Sequence, residues 1–227
     1  MKKNYFIAFE GIDGSGKSTQ VKLVSEKLQQ EGHKVYTTSE PTNNPIGNLI
    51  RSIFKGKLEA DHKTIAALYL ADRLEHLLNK KDGILKKLEE GFTVVTDRYY
   101  FSSYAYHGTH MSLDWVIEAN SLCAELLRPD LTIFIDVPAE VCMKRLNEDR
   151  EMMELYETLD NLNKVREKYF EAFEKLNGEE AIFITNGNRP LEVIFNDVWN
   201  EIEKIQKPHK TYTLANKGSA IRPNKEF

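Results

Sequence analysis

A chain of 227 residues has room for one large domain, or for a domain with an inserted lid, and not for a tandem array. Its 41% hydrophobic and 29% charged content, with 12 Gly and 7 Pro, is ordinary globular usage and excludes disordered, collagen-like and low-complexity readings. With 31 basic against 35 acidic residues the net charge is −4, which argues against a protein that neutralises a nucleic-acid backbone.

Tyr5-Phe6-Ile7-Ala8-Phe9 is an apolar run far too short for a secretory signal, and Glu10 ends it at once, so it reads as a buried strand. Further β-rich runs follow at 33–38, 92–96, 131–136 and 181–185. Helix-period segments lie between them, near 17–31, 45–55, 64–80, 82–90, 113–127, 138–148, 155–177 and 190–205. Strands alternating with helices, several of the strands almost wholly apolar, predict an α/β domain with a parallel sheet covered on both faces. Ligands of such sheets sit at the carboxyl ends of the strands. Gly32 after the first helix, Pro138 at the start of another, and Gly91 and Gly178 before strands support these boundaries.

The charged, Met-bearing stretch at about 146–157 suits a lid. One domain is expected over 1–206, with a C-terminal tail from 207 to 227, where periodicity gives way to basic and turn residues. No run approaches the roughly 20 apolar residues of a bilayer span, so a cytoplasmic chain without a membrane or nucleic-acid partner is expected. Cys123 and Cys142 fit no metal or redox spacing and are expected to be small core residues.

The chemistry is concentrated at the first strand-to-helix junction. Gly11-Ile12-Asp13-Gly14-Ser15-Gly16-Lys17-Ser18 satisfies G-x-x-x-x-G-K-[ST] with a strand before it and a helix after it. Its glycines let successive N–H groups turn inward around a phosphate, and the helix that continues through Thr19 adds its positive end. Lys17 supplies a point charge for the outer phosphates, and Ser18 a hydroxyl for Mg²⁺. A guanine-reading switch protein would need Asn-Lys-x-Asp. Asn163-Lys164-Val165-Arg166 and Asn216-Lys217-Gly218-Ser219 both lack the Asp, which favours an ATP user.

Asp97-Arg98 closes the 92–96 strand beside this loop. An Asp there can hold Mg²⁺ directly or through water, and an Arg can fork onto phosphate oxygens. Tyr69 and Arg73 are four residues apart, on one face of a helix, and can share one ligand.

Glu10 to Thr19, Glu40-Pro41-Thr42 with Pro45-Ile46-Gly47 and Arg51, Leu70-Ala71-Asp72-Arg73, and Thr96-Asp97-Arg98-Tyr99 with Ser102, Ala105 and Tyr106 together resemble the thymidylate kinases, their bacterial and archaeal branch above all. The order and spacing match from residue 5 to about 205. The resemblance implies the three-layer fold of P-loop nucleoside monophosphate kinases, with a five-stranded parallel sheet, a short lid and a homodimer. It also implies transfer of the γ-phosphoryl of ATP, with Mg²⁺, to dTMP. Other monophosphate kinases on this fold, and a nucleotide-dependent switch, are the alternatives.

By the same resemblance Tyr69 stacks on thymine and Arg73 bonds its carbonyl. Arg51 and Arg98 clamp the acceptor phosphate, and Glu40-Pro41 borders its pocket. Ser102 and Ser103 fall in a substrate-binding loop over 97–107, Ser103 near the base edge, Tyr106 lies under the sugar where a 2′-hydroxyl would collide, and Asp13 lies near the sugar hydroxyl and the metal. Lys17, Arg98, Asp13 and a lid arginine, Arg150, form the expected catalytic group. Arg145 packs over adenine, and Ser18 and Asp97 hold the metal. Three positions depart from the pattern: Ser39 stands where a cation is common, His107 stands where glutamine is frequent, and 152–157 lacks a second lid arginine. His107 and His110, three apart, read as hydrogen-bonded loop structure rather than metal ligands.

Overall fold

In the computed structural model, which describes residues 3–149, 156 and 158–207, strands β1 (Phe6–Glu10), β2 (Val35–Ser39), β3 (Thr93–Asp97), β4 (Leu131–Asp136) and β5 (Ile182–Asn186) form one sheet. Their order is β2-β3-β1-β4-β5, and every pair is parallel. The helices are α1 (Lys17–Gln30), α2 (Pro45–Phe54), α3 (His62–Leu78), α4 (Ile84–Glu89), α5 (Tyr100–Gly108), α6 (Leu113–Ala119), α7 (Ser121–Leu126), α8 (Ala139–Asp149), α9 (Leu159–Lys175) and α10 (Leu191–Gln206).

The three central strands are buried on both faces, as their unbroken apolar runs require, while β2 and β5 are partly exposed edges. Side chains of a strand alternate between faces. Phe134 of β4 meets Tyr169 and Phe173 of α9, and Glu10, paired in register with Phe134, points the same way, toward α5 and α9. That alternation brings a carboxylate into the core at the end of β1. On the other side α1 and α10 pack together against the sheet. Cys123 and Cys142 are buried free thiols in the core, as expected.

Three elements differ from the sequence reading. The stretch after Asp97-Arg98, expected as a loop over 97–107, is helix α5. All nine of its residues are buried, so it carries no polar face and no 3.6-residue alternation. The helix expected over 113–127 is two, α6 and α7, meeting at Asn120, whose side chain turns inward to Arg73 instead of continuing a face. The helix expected from 155 starts at Leu159, capped by Thr158 through the N–H of Asn161. Of the expected lid, 146–149 finish α8 and Tyr156 is placed. Arg150 and the tail from 208 lie outside the described residues. Among those residues no helix is long and apolar enough to cross a membrane.

Candidate active site

The turn from β1 into α1 doubles the chain back tightly enough to exclude side chains. At Gly14 (φ +79°) an added Cβ would lie 2.7 Å from the carbonyl oxygen of Cys142, and at Gly11 (φ +148°) 2.8 Å from that of Ile135. Both positions therefore need glycine, on space and on backbone conformation together. Gly16, left-handed, caps α1 without a side-chain bond, which leaves the first-turn amides of α1 free for an anion. Ile12 and Ser15 are buried beneath the loop, Gly16, Ser18 and Thr19 are exposed at its rim, and Lys17 is buried with Nζ donating to Ile12 O at 3.1 Å. Burial, reinforced by Arg98, holds the Lys17 ammonium below its usual pKa, against the pull of Asp97, Asp13 and Glu10.

Two carboxylates organise the next layer. Glu10, fully buried, accepts from Tyr99 N, Ser102 N, Ser102 Oγ and Tyr169 Oη at 2.6 to 3.2 Å. It thus caps α5, whose own N-cap residue supplies no side-chain bond. Burial pushes the Glu10 carboxyl up, and the Ser102, Tyr99 and Tyr169 bonds with the Arg98 charge only partly offset it. Asp13 faces the cavity. Burial alone would raise its pKa, but Arg98, Lys17 and the Tyr106 hydroxyl outweigh it and hold the carboxyl below the usual range.

Arg98 lies between these groups in a left-handed conformation, φ +75°, the one non-glycine residue with positive φ among those described. Its guanidinium donates to Gly11 O (3.2 Å), Ser102 Oγ (3.0 Å), Asp13 Oδ1 and Tyr106 Oη (3.2 Å), and lies over the Tyr106 ring. Next to it, Ser18 Oγ donates to Asp97 Oδ2 at 2.5 Å. Among the described residues no group of three or more His, Cys, Asp or Glu side chains could hold a metal by itself. One hydroxyl beside one carboxylate is a hard-oxygen set, and it fits an ion that fills most of its octahedron with water and phosphate, as Mg²⁺ does.

Beyond Arg98 opens a cavity of about 300 Å³, lined by Asp13, Pro41, Arg51, Phe54, Lys55, Tyr69, Arg98, Ser102, Ser103, Tyr106, His107 and Tyr156. Eight of these were expected at the site, and the fold brings them together from five separate stretches of chain. Arg51 is held at the wall by donating to the carbonyls of Pro41 and Thr42. Tyr69 meets Phe54 edge-on at 6.2 Å and His107 at 5.2 Å. Tyr106 Oη donates to Asp13 Oδ2 at 2.7 Å and accepts from the Asp13 N–H at 3.1 Å.

Arg73 and Glu40 lie behind the cavity wall and do not line it, whereas Pro41, beside Glu40, does. Arg73 is fully buried. Its Nε donates to Glu40, one terminal nitrogen donates to Ser103 Oγ and Asn120 Oδ1, and the other donates to Tyr99 O and lies 2.7 Å from Glu40 Oε2 as an ion pair. Glu40 in turn meets His76 Nδ1 at 3.1 Å, and against its burial Arg73 and His76 hold its carboxyl below the usual range. This buried pair sets the position of Ser103, which does face the cavity. Arg145 reaches the carbonyls of Gly14 (3.3 Å) and Gly187 (3.4 Å), joining the β1–α1 turn to the β5–α10 turn.

Sequence reasoning missed Phe54, Lys55 and Tyr156, and read His107 as hydrogen-bonded loop structure. His107 instead lies in a buried helix, and its Nδ1 is buried with no hydrogen-bond partner among the described residues. Phe54 and Lys55 lie three and four residues after Arg51, so the helical repeat was the available signal. Tyr156 had none. Burial drives the His107 pKa down to about 3, with Arg73, His110 and His62 adding to it. Folded His107 thus stays neutral where the unfolded chain's imidazole, near 6.5, takes up a proton. Stability is lost as pH falls from about 6.5 toward 3, at about 1.4 kcal/mol per pH unit. In urea unfolding between about pH 7 and pH 5, wild type should lose about 2 kcal/mol more than His107→Gln. Equal losses would mean the folded imidazole is charged.

Comparison with known proteins places these features in a family. The family model described as thymidylate kinase matches residues 9–198. A "Probable thymidylate kinase" of Caldivirga maquilingensis is 39% identical over 206 residues, covering 89% of this chain and 95% of its own. One of Pyrococcus horikoshii is 37% identical over 202 residues, covering 86% and 94%. The "Thymidylate kinase" of Clostridium novyi is 36% identical over 205 residues, covering 87% and 98%.

Proposed function

Because this chain belongs to the thymidylate kinase family, we propose that it transfers the γ-phosphoryl group of ATP to dTMP, releasing ADP and dTDP. The observation that carries the reading is the placement of Arg98 and Asp13. Both border the phosphate loop on one side and line a cavity of about 300 Å³ on the other, so a donor on the loop and an acceptor in the cavity meet at one guanidinium.

The inward amides after Gly11 and the start of α1 grip the donor's phosphates, with Lys17 at the outer ones. Arg145 borders the adenine seat, and Arg150 is kept as the lid cation. Ser18 and Asp97 would hold Mg²⁺, which would supply positive charge against the donor's phosphates. In the cavity Tyr69 offers an aromatic face to the thymine ring, and Ser103 and His107 offer polar atoms to its edge. Arg51, joined by Lys55 and Arg98, takes the acceptor phosphate. Lys55 supplies a cation on this side, where Ser39 does not. Tyr106, pinned to Asp13 under the sugar, leaves no room for a 2′-hydroxyl. The transfer needs no protein nucleophile, because two bound phosphates require alignment and relief of charge.

A homodimer working in the cytoplasm completes the reading. Leu78 of α3, Trp115 of α6 and Leu122 of α7, each about half exposed, support the dimer. The test is ADP release with Mg-ATP and each nucleoside monophosphate in turn. dTMP should be turned over fastest and AMP and CMP near background, whereas faster turnover of either would overturn the assignment.

A further inference from the structure

Tyr156 closes one side of the cavity from the segment between α8 and α9 and packs edge-on against Phe54 of α2 at 5.2 Å. Two histidines hold it there. Its hydroxyl lies 3.0 Å from His62 Nδ1, the tautomer deciding which atom donates. Its ring lies 5.9 Å from that of His62 and 5.5 Å from that of His110, inclined to them by 25° and 30°. His62 and His110 lie face to face, centroids 3.7 Å apart and planes 6° apart. His62 opens α3, the helix of Tyr69, and His110 follows α5, the helix of Tyr106. The stack therefore fastens two walls of the cavity to a third.

We propose that His62 and His110 are positioning residues for the acceptor: their stacked rings hold Tyr156 against the pocket, and a proton arriving at His110 loosens that wall. The inference rests on reading this cavity as the dTMP seat. Two imidazoles in face-to-face contact cannot both be charged there, and one charge already meets unfavourable surroundings. Lys164 of α9 and His107 of α5 face the pair, Tyr156 covers it, and Asp61 and Lys63 flank His62, with the Asp61 carboxylate capping the Lys63 N–H. Burial, His62 and Lys164 together keep the His110 pKa below its ordinary value, so the His110 ring is neutral near pH 7 and takes its proton only on acidification.

Thymidine is the probe, since a phosphate monoester itself titrates near pH 6. Its dissociation constant for the full chain is measured calorimetrically between about pH 7.5 and 5.5. For wild type it should rise roughly threefold to tenfold on acidification. His110→Phe, which keeps a flat ring and has no proton site, should bind as wild type does near pH 7.5 and show no such rise. Tyr156→Phe, lacking the hydroxyl, should raise the constant several-fold near pH 7.5. Wild-type binding that ignores pH, or an equal rise in His110→Phe, overturns the inference and leaves the dTMP seat standing. No thymidine binding at any pH overturns both.

Discussion

Arg98→Ala lowers kcat/KM for dTMP by about 10³-fold or more, roughly 4 kcal/mol of transition-state stabilisation. The guanidinium is the one group that touches the phosphate loop at Gly11, the acid Asp13 and the cavity wall at Ser102 and Tyr106 together. A cation between donor and acceptor meets the charge that spreads over the moving phosphoryl oxygens. The backbone separates this loss from a folding defect. At φ +75° any residue with a Cβ is strained by about 1–2 kcal/mol, and glycine is not. Arg98→Gly should therefore be as inactive as Arg98→Ala yet more stable by about 1 kcal/mol. Steady-state kinetics and urea unfolding of the two variants check both halves. Activity within tenfold of wild type in either would remove Arg98 from the chemistry.

Lys17→Met lowers kcat by about 10³-fold and leaves stability unchanged or slightly raised. The two effects have one cause. Lys17 is buried with a carbonyl as its hydrogen-bond partner, and burial depresses its pKa even with Asp97, Asp13 and Glu10 nearby. The ammonium thus costs free energy in the empty loop and is compensated only when phosphate arrives. A methionine of similar length removes that cost. Single-turnover rates with Mg-ATP and dTMP, set beside melting temperatures, test the pairing. A variant that is both active and unstable would mean the lysine serves the fold alone.

The phosphate loop was legible because its chemistry is local: spacing, glycine and a flanking strand and helix are all written within a dozen residues. The parallel sheet was legible for a similar reason, through the short, β-branched and largely apolar runs of β1, β3 and β4. Helix α5 was not, since burial on every side erases the polar face by which a helix announces itself. Arg73 shows a different limit. Its spacing from Tyr69 was read correctly, but its partners come from β2's end, α5 and Asn120, and only the fold reveals them. Tyr156 and the histidine stack bring together residues 48 and 94 positions from His62, a juxtaposition that no periodicity encodes.

Tyr106 holds Asp13 at both its amide and its carboxylate, so on the proposed reading the floor beneath one nucleotide is bolted to the rim around the other. A substitution that reshapes the sugar seat also retunes the grip on the triphosphate. Attempts to widen this enzyme's appetite toward ribonucleotides by trimming that phenol will therefore surrender ATP affinity in the same stroke, and the two properties will have to be re-engineered as a pair.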